Sequence, residues 1–584
     1  MFKRLLQCVR EFKKPTVLTM IFIVGEVIIE CLIPFITADL VNAVQAGAGN
    51  AGMMPEILKT GALLVCMALA SLACGGIAGF TCAKASSGFA RNLRGDIFHK
   101  VQDYSFENID KFSSSSLVTR MTTDVTNVQM AFMMCIRIAI RAPLMLVFSI
   151  IMAYIMGGAL ATSFVVIVPF LIFGLLMVSR KAMPAFRSVF KKYDRLNESI
   201  EENVRAMRVV KGFSREEHEK DKFSSAADNI RRDFTKAERI VALNSPLMQI
   251  CVYFNMVFVL LVGSRLIIGS GGAVINVGEI SAMLTYGMQI LIQLMMLSMI
   301  YVMLTMSGES MKRIYEVLRE EPALVSPENA QKLVLDGSID FDNVSFKYSK
   351  NAEQFALKDI DLHIKSGMTV GVLGGTGSSK STLVQLIPRL YDVSEGSVKV
   401  GGVDVREYDL EALRGEVAMV LQKNLLFSGT IKENLRWGNE NATDEELIEA
   451  CRLSQADEFV RSFPEGYDTM IEQGGTNVSG GQKQRLCIAR ALVKKPKILI
   501  LDDSTSAVDT RTDALIREGF KKFIPETTKI IIAQRVASVM DADLIIVMEN
   551  GSISAMGDHN ELMKNCEIYS EIYHQQIKAG EENE

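Results

Sequence analysis

The stretch GGTGSSKST, residues 374–382, decides the fold of the second half of this chain. It nearly fits the phosphate-binding pattern G-x-x-x-x-G-K-[ST], except that Ser379 replaces the second glycine before Lys380 and Ser381. The stretch follows the apolar segment MTVGVL and precedes the helical segment KSTLVQLIPRLY. A loop between a strand and a helix directs backbone N–H groups and the helix N-terminus at phosphate, so the stretch predicts a nucleotide site.

Three residues of this loop have separate expected effects. Lys380 adds a positive charge near the β- and γ-phosphates, and Ser381 is a candidate Mg²⁺ ligand. Ser379 adds a Cβ atom where the backbone approaches phosphate closely, so we expect weakened or slowed binding of nucleotide rather than none. Taken alone, the loop could also be a glycine-rich turn without a ligand.

The segments around the loop alternate between strands and helices, which predicts an α/β P-loop nucleotide-binding domain. The strand KILILDD ends in Asp502, an acid of the type that holds Mg²⁺ opposite a P-loop. The segment VSGGQKQR joins a glycine turn to a helix start and is a second backbone anion site. The predicted strands are SIDFDNVSFKY, IDLHI, TVGVLGG, KILILDDS, TKIIIAQR and DLIIVMENG.

The first half has a different composition and predicts an α-helical six-span transmembrane domain with long cytoplasmic helices. Of the 584 residues, 49% are hydrophobic, and six apolar stretches each reach the roughly 20 residues that cross a bilayer as a helix. The predicted spans are Pro15 to Val41, Ile57 to Cys82, Ile136 to Met156, Ala159 to Val178, Val241 to Ile268 and Ile280 to Thr305. We expect no cleavable targeting segment, because the first span is too long for one.

Charge placement predicts the orientation of the spans. The first, third and fifth connections (42–56, 157–159 and 269–279) contain no Lys or Arg, whereas the second and fourth are long and basic. By the positive-inside rule, both termini and the nucleotide-binding domain face the cytoplasm. The two basic connections predict helical hairpins with tips at Ser105 to Phe112 and Val209 to Glu217, where Gly212 indicates a turn.

The predicted domains are therefore residues 1–320 (transmembrane), 321–337 (linker) and 338–584 (nucleotide-binding). The 67 acidic and 63 basic residues nearly cancel, which gives no support to nucleic-acid binding. The ten cysteines form no CxxC pair and are expected to be small buried side chains in a reducing setting. The five histidines lack metal-ligand spacing, so a structural metal site is not expected.

The order of these motifs resembles the ATP-binding cassette (ABC) family, and six spans with two long hairpins resemble its exporter-type half-transporters (type I, also called type IV, fold). The resemblance implies a dimer that sandwiches two ATP molecules, with Mg²⁺, between its cassettes. It implies that Tyr348 stacks on adenine, that Gln422 joins Asp502 and Ser381 around Mg²⁺, and that Asp509 lies in a loop crossing the interface. The implied ATP-binding residues are Tyr348, Gly374, Gly375, Thr376, Gly377, Ser378, Ser379, Lys380, Ser381, Thr382 and Gln422. The implied signature, which grips the partner's ATP, is Ser479, Gly480, Gly481 and Gln482.

Two further positions depart from the family pattern. Asp503 stands where the family has a catalytic Glu, and Gln534 stands where it has a switch His. The shorter Asp falls short of the attacking water, and Gln cannot carry a proton's charge, so we predict slow or negligible hydrolysis at this site. Because the signature is intact, we predict a heterodimer with a related half-transporter that has an intact P-loop, Glu and His. Neutral drift at a working site is the alternative.

The cargo is predicted only by class. Five methionines at helical spacing in the sixth span suit a cavity for varied apolar molecules, although ordinary helix packing is the favoured explanation for any one of them. These are Met288, Met295, Met299, Met303 and Met306. Two pairs of charged residues lie one helical turn apart, Glu26 with Glu30 and Arg137 with Arg141. Such charges within spans can line the transport pathway. The two arginines could instead lie near the cytoplasmic edge of the membrane and extend their charged groups to it.

The resemblance favours a multidrug-type exporter of amphipathic or lipid-like compounds in a bacterial plasma membrane. The alternatives are a nucleotide-gated membrane regulator and a homodimeric lipid flippase with slow hydrolysis.

Overall fold

The structure is a computed structural model that describes residues 1–47, 51–271, 274–349, 352–504 and 507–581. Contacts divide it into two compact units, residues 1–102 with 113–320, and residues 103–112 with 321 onward. The predicted linker 321–337 is part of the second unit, and the predicted domain boundaries stay a prediction. Residues 48–50 and 272–273 of the first and fifth predicted connections lie outside the described residues.

The first unit is helical, and the second mixes helices with strands. The α-helices, numbered along the chain, are α1 (Phe2–Gln7), α2 (Lys13–Ala46), α3 (Met54–Gln102), α4 (Phe106–Phe112), α5 (Ser114–Thr119), α6 (Val125–Gly157), α7 (Thr162–Arg205), α8 (Met207–Gly212), α9 (Glu216–Ala242), α10 (Asn244–Ser270), α11 (Val277–Arg319), α12 (Lys380–Gln385), α13 (Leu410–Glu416), α14 (Ile431–Arg436), α15 (Asp444–Leu453), α16 (Asp457–Ser462), α17 (Gly480–Val493), α18 (Thr510–Phe523), α19 (His559–Asn565) and α20 (Glu567–Glu581).

Six helical segments of the described chain are long and apolar enough to cross a membrane. They are Arg10–Ala46, Met54–Gln102, Ser114–Gly157, Thr162–Phe186, Glu216–Ser270 and Val277–Arg319. Each contains at least part of one predicted span, so the predicted number of spans is correct. Large apolar side chains such as Phe80, Val165 and Ile268 are exposed on these segments, as expected where the surrounding solvent is lipid.

Several helices continue beyond the predicted spans. The helix α3 runs to Gln102, and α7 runs to Arg205. The short helices α4 and α8 lie at the two predicted hairpin tips, and α8 ends at Gly212, the predicted turn residue. Glycine suits the end of a helix because, without a Cβ atom, it adopts non-helical backbone angles with little steric strain. Whether these hairpins are intracellular stays a prediction.

The N-terminus of α11 packs very closely on α2. Asn276 and Glu279 form a capping box that satisfies the free N–H groups at the start of α11. The Gly278 N–H donates to the Asn42 side chain at 2.9 Å. A Cβ atom at Gly278 would lie 2.1 Å from the Ala38 carbonyl oxygen, so only glycine permits this approach.

The second unit contains three sheets. Its strands are β1 (Ile339–Phe346), β2 (Leu357–Ile364), β3 (Thr369–Gly374), β4 (Glu395–Val400), β5 (Val403–Asp404), β6 (Val417–Val420), β7 (Gly429–Thr430), β8 (Met470–Ile471), β9 (Ile498–Asp502), β10 (Thr528–Ile532), β11 (Leu544–Glu549) and β12 (Ser552–Gly557). The six-stranded sheet has the order β12-β11-β3-β10-β9-β6, with β12 antiparallel at one edge. The antiparallel sheet has the order β2-β1-β4-β5, and β7 pairs with β8.

The parallel strands bring three distant loops to one edge of the sheet. β10 lies between β3 and β9, and Ile532 pairs with both Val372 and Asp502. Because parallel strands end at the same edge, the loops after β3, β9 and β10 are neighbours there. Those loops contain the P-loop, Asp503 and Gln534, so the sheet order builds the candidate site.

The predicted strands all correspond to observed strands, but several others were missed. The missed strands are β4, β5, β6, β7, β8 and β12. Of these, β5, β7 and β8 are two residues long and carry little periodicity. The helix predicted over residues 380–391 is too long, because α12 ends at Gln385. Pro388 follows, where a helix would lose a hydrogen bond, and Arg389 has a left-handed backbone with φ of 50°.

Candidate nucleotide-binding site

The phosphate-binding stretch adopts a loop between β3 and α12, as predicted. Gly374 has φ of 152°, and a Cβ atom there would lie 2.3 Å from the Met548 carbonyl oxygen. Ser379 has φ of 67° and ψ of 25°, a left-handed conformation that glycine adopts freely. For a residue with a Cβ atom, this conformation costs about 1 kcal/mol. Ser379 therefore adds backbone strain as well as the predicted bulk.

Lys380 folds back over its own loop. Its Nζ lies 2.9 Å from the Gly374 carbonyl oxygen, 2.8 Å from that of Gly375 and 3.3 Å from Ser378 Oγ. Burial lowers the pKa of the Lys380 ammonium, and the nearby Asp502 and Asp503 carboxylates oppose that effect. The Lys380 ammonium thus lies over the phosphate-binding loop and is hydrogen-bonded to neutral oxygen atoms, which a phosphate oxygen can replace as its acceptor.

Asp502 and Ser381 provide hard oxygen atoms that fit Mg²⁺. Asp502 ends β9 and is only 4% exposed. Burial raises the pKa of its carboxyl group, and a hydrogen bond from Ser381 opposes that rise. A buried carboxylate beside a hydroxyl suits Mg²⁺, which prefers oxygen ligands. These two side chains would hold the ion, which neutralises phosphate charge when it is bound.

The two residues predicted to occupy the catalytic positions, Asp503 and Gln534, contact each other. Gln534 Nε2 donates to Asp503 Oδ2 at 2.8 Å, and Gln422 Nε2 lies 3.4 Å from the same oxygen. Asp503 also has a left-handed backbone with φ of 48°. A carboxylate that accepts from two amides is held in place by groups that cannot take up a proton. This mutual contact was not predicted from the sequence.

Tyr348 lies beside the P-loop helix with its ring partly open. Its hydroxyl is 2.8 Å from Thr382 Oγ1, and the residue is 46% exposed. The ring packs edge-on against Phe346 at 4.9 Å and Tyr391 at 5.2 Å between ring centroids. A fixed ring with an accessible surface can stack on a base. The role of Tyr348 in binding adenine stays a prediction.

Tyr391 connects this aromatic cluster to α4, a contact that sequence reasoning missed. The Tyr391 hydroxyl donates to Asp110 Oδ2 at 2.8 Å, and its ring lies 6.1 Å from that of Phe106. Burial and the hydrogen bond to Asp110 raise the pKa of Tyr391. Asn108 also fixes α4 by accepting from the Ala323 N–H at 3.0 Å. The helix α4 is thereby attached beside the residue predicted to stack on adenine.

The predicted signature forms the start of α17. Ser479 is its N-cap, where the Gln482 N–H donates to Ser479 Oγ and the Ser479 N–H donates to Gln482 Oε1. Ser479 and Gly480 are exposed, so the helix N-terminus is open to a ligand. A Cβ atom at Gly481 would lie 2.9 Å from the Ala507 carbonyl oxygen, which explains the glycine there.

The segment that contains Asp509 is attached to the same helix. The Ala507 N–H donates to Gln484 Oε1 at 3.0 Å, and Gln484 lies in α17. Asp509 is the N-cap of α18 and accepts from the Thr512 N–H at 2.9 Å. That hydrogen bond lowers the pKa of the Asp509 carboxyl group. The local structure explains Asp509 as a helix cap, and its role at a dimer interface stays a prediction.

Comparison with known proteins agrees with this arrangement. A family profile described as ABC transporter transmembrane region matches residues 16–295, and one described as ABC transporter matches residues 357–506. The uncharacterized ABC transporter ATP-binding protein YfiB of Bacillus subtilis is 35% identical over 574 residues, 97% of each chain. The chain belongs to the ABC transporter family. The uncharacterized relative Rv1273c of Mycobacterium tuberculosis is 33% identical over 97% of this chain and 96% of its own length.

The fold of this ABC transporter also matches a solved structure. A bacterial Atm1-family ABC exporter with ATP bound superposes with a TM-score of 0.83 over 97% of this chain and 98% of that one, at 23% identity. The predicted fold class, six helical spans followed by an α/β nucleotide-binding domain, is confirmed. The chain is an ABC exporter half-transporter and a multi-pass membrane protein. Such exporters function as dimers and couple ATP hydrolysis to transport, and an ABC domain of this kind implies ATP binding, usually with Mg²⁺.

Proposed function

We propose that this ABC exporter chain is the subunit with the degenerate ATP site in a heterodimer that exports amphipathic or lipid-like compounds. The nucleotide-binding domain and both termini lie in the cytoplasm of a bacterial cell, and the spans lie in its plasma membrane. This chain binds ATP and Mg²⁺ at its own site but hydrolyses ATP there slowly or not at all. The partner half-transporter performs most of the hydrolysis.

The contact between Asp503 and Gln534 carries this proposal. A general base must lie within about 3 Å of the water that it activates, and it must be able to accept that water's proton. Asp503 is about 1.5 Å shorter than Glu, the length of one carbon–carbon bond, and Gln534 holds its carboxylate at 2.8 Å. Loss of a general base slows hydrolysis about 10²- to 10⁴-fold.

The partner is inferred from an asymmetry between two motifs. The phosphate-facing positions Ser379, Asp503 and Gln534 are altered, whereas Ser479 and the following glycines keep both the sequence and the exposed helix N-terminus. In this family the signature completes the ATP site of the opposite subunit. An intact signature beside an altered catalytic site therefore fits a partner whose own P-loop, Glu and His are intact.

The proposed class of cargo rests on the sixth span. Five methionines along α11 are partly or fully exposed, so their flexible thioether side chains are accessible on the helix surface. Such side chains adapt to apolar ligands of different shapes. They are Met288, Met295, Met299, Met303 and Met306.

A second candidate is a nucleotide-gated membrane regulator that binds ATP without pumping. The contact between Asp503 and Gln534 would equally suit that function, because a site with slow hydrolysis can still hold nucleotide in its P-loop. The two candidates differ in whether an active partner accompanies the chain.

The deciding experiment is capture of the complex through a tag on this chain, expressed in its own cells. We expect a stoichiometric second half-transporter with a Glu and a His at the positions of Asp503 and Gln534. Replacing that Glu with Gln should abolish ATP hydrolysis by the complex, whereas Asp503→Asn should leave most of it. A lone, inactive homodimer would support the regulator, and a homodimer with rapid hydrolysis would overturn the proposal.

A further inference from the structure

Three charged side chains form a cluster inside the apolar spans. Glu26 and Glu30 lie one turn apart on α2, and Arg141 lies on α6. Arg141 Nη2 is 2.8 and 2.7 Å from the two carboxylate oxygens of Glu30 and 3.5 Å from Glu26 Oε1. Ionised groups within membrane spans are costly, so they usually serve function or form fully satisfied pairs.

The geometry of this cluster is poor for a purely structural ion pair. A buried ion pair stabilises a protein only when the geometry is excellent and the remaining polar atoms are also hydrogen-bonded. Here one guanidinium nitrogen serves both carboxylates, in place of the paired, two-nitrogen contact that arginine forms best. Arg141 Nε is buried without an acceptor among the described residues. Stability alone therefore does not account for the cluster.

The contacts within the cluster are unequal in charge. Two carboxylates meet one guanidinium within 3.5 Å. Arg137, one turn nearer the N-terminal end of α6, is exposed and forms no ion pair within the part of the chain that the structure describes, although its charge also acts on Glu26. A cationic group in contact with the two carboxylates would complete the pairing that Arg141 alone does not.

The surroundings of the cluster resemble a small-molecule site. The side chains of Glu30 and Arg141 are 27% and 31% exposed, so the cluster is open on one side. Apolar residues close in sequence on the same two helices form a packed cluster of their own, and small-molecule sites combine apolar walls with a few polar groups. The neighbouring apolar residues are Phe22, Ile23, Val27, Cys31, Ile140, and Met145.

We propose that the cluster of Glu26, Glu30 and Arg141 binds the cationic group of an amphipathic compound. Binding of the cation at this cluster does not depend on the proposed exporter function. Only the identification of the bound compound as the transported cargo rests on that function. The two carboxylates attract the cation, Arg141 holds them in position, and the apolar neighbours contact the remainder of the molecule.

The test compares two probes of matched shape and opposite charge, tetraphenylphosphonium and tetraphenylborate. Their binding to the purified complex is measured by equilibrium dialysis without nucleotide. In Glu26→Gln, tetraphenylphosphonium should bind about tenfold more weakly, because one of the two carboxylates that attract the cation is removed. Tetraphenylborate should bind as before or more tightly. Equal changes for both probes, or no change for either, would overturn the proposal.

A second variant tests the same site without changing a charge. A Cβ atom at Gly75 on α3 would lie 3.1 Å from Glu26 Oε1, whereas one at Gly76 would have no neighbour within 4 Å. Gly75→Ala should therefore displace the Glu26 carboxylate and weaken tetraphenylphosphonium binding severalfold, while the control Gly76→Ala should not. If Glu26→Gln fails to assemble, equal binding in these two alanine variants contradicts the proposal.

The two proposals can fail separately. Binding measured without nucleotide does not depend on which subunit hydrolyses ATP or on transport. A complex that binds tetraphenylphosphonium through Glu26 but shows no ATP-driven export would overturn the proposed function alone. Export that is unaffected by Glu26→Gln, together with unchanged probe binding, would overturn the inference alone.

Discussion

Introducing the family residues at positions 503 and 534 should speed ATP hydrolysis at this site, if the proposed function is correct. The change is Asp503→Glu together with Gln534→His, made in a complex whose partner has its own catalytic Glu replaced by Gln. The longer Glu moves the carboxylate about 1.5 Å outward. The His removes the amide that now holds Asp503 Oδ2 at 2.8 Å, and it adds a group that can carry a proton.

The expected gain follows from the contribution of a general base. That contribution is about 10²- to 10⁴-fold, which corresponds to a barrier difference of about 3 to 5 kcal/mol. Because Ser379 still strains the P-loop, we expect the lower end, an increase of about 10²-fold. Each single substitution should give much less, since catalytic residues that act together are not additive.

The assay is steady-state release of phosphate from the reconstituted complex at saturating Mg²⁺ and ATP. The background is the complex with the partner's glutamate replaced and this chain unaltered. Asp503→Asn with Gln534→His serves as a control that lacks a base and should stay at the background rate. A double variant that hydrolyses ATP no faster than this control would refute the argument that Asp503 and Gln534 limit the chemistry.

Three further changes test other parts of the structure. Ser379→Gly should tighten ATP binding about three- to tenfold in a titration. Ser379→Ala keeps the Cβ atom and should not tighten it. Equal ATP affinities of the glycine variant and the unaltered chain would show that Ser379 does not weaken binding. Tyr391→Phe removes the hydroxyl that donates to Asp110 at 2.8 Å. Amide hydrogen exchange in α4 should therefore become about tenfold faster, while ATP affinity stays unchanged. Unaltered exchange would show that this hydrogen bond does not hold α4 in place. Gly278→Ala should destabilise the complex by about 1 to 3 kcal/mol in thermal unfolding, because the new Cβ atom would lie 2.1 Å from the Ala38 carbonyl oxygen. The control Gly308→Ala should have no such effect, because a Cβ atom at Gly308 would have no neighbour within 4 Å.

Contiguous motifs were predictable from the sequence because each one folds locally. The P-loop needs only a strand, a glycine-containing loop and a helix start, and the signature needs only a serine cap followed by glycines. The six spans were predictable because a bilayer demands long apolar helices. In each case the residues that determine the structure are neighbours in the chain.

Contacts between distant residues were not predictable in this way. Asp503 and Gln534 are 31 residues apart, and they meet because β9 and β10 are adjacent in the sheet. Tyr391 and Asp110 are 281 residues apart. Similarly, the sequence paired Glu26 with Glu30 and Arg137 with Arg141 by spacing alone, whereas the structure joins only Arg141 to the two carboxylates.

The backbone around Ser379 and Asp503 gives a physical reason why ATP binding and ATP hydrolysis can separate at this site. Ser379 and Asp503 both hold left-handed conformations, with φ of 67° and 48°, although neither is glycine. Each such conformation costs about 1 kcal/mol, so packing and hydrogen bonds around these loops must enforce it. The amide directions that hold phosphate are properties of that backbone, whereas activation of water depends on the side chains of Asp503 and Gln534. Substitutions that change these side chains and keep the backbone would therefore slow hydrolysis while ATP binding is kept, which is the behaviour that we propose for this chain.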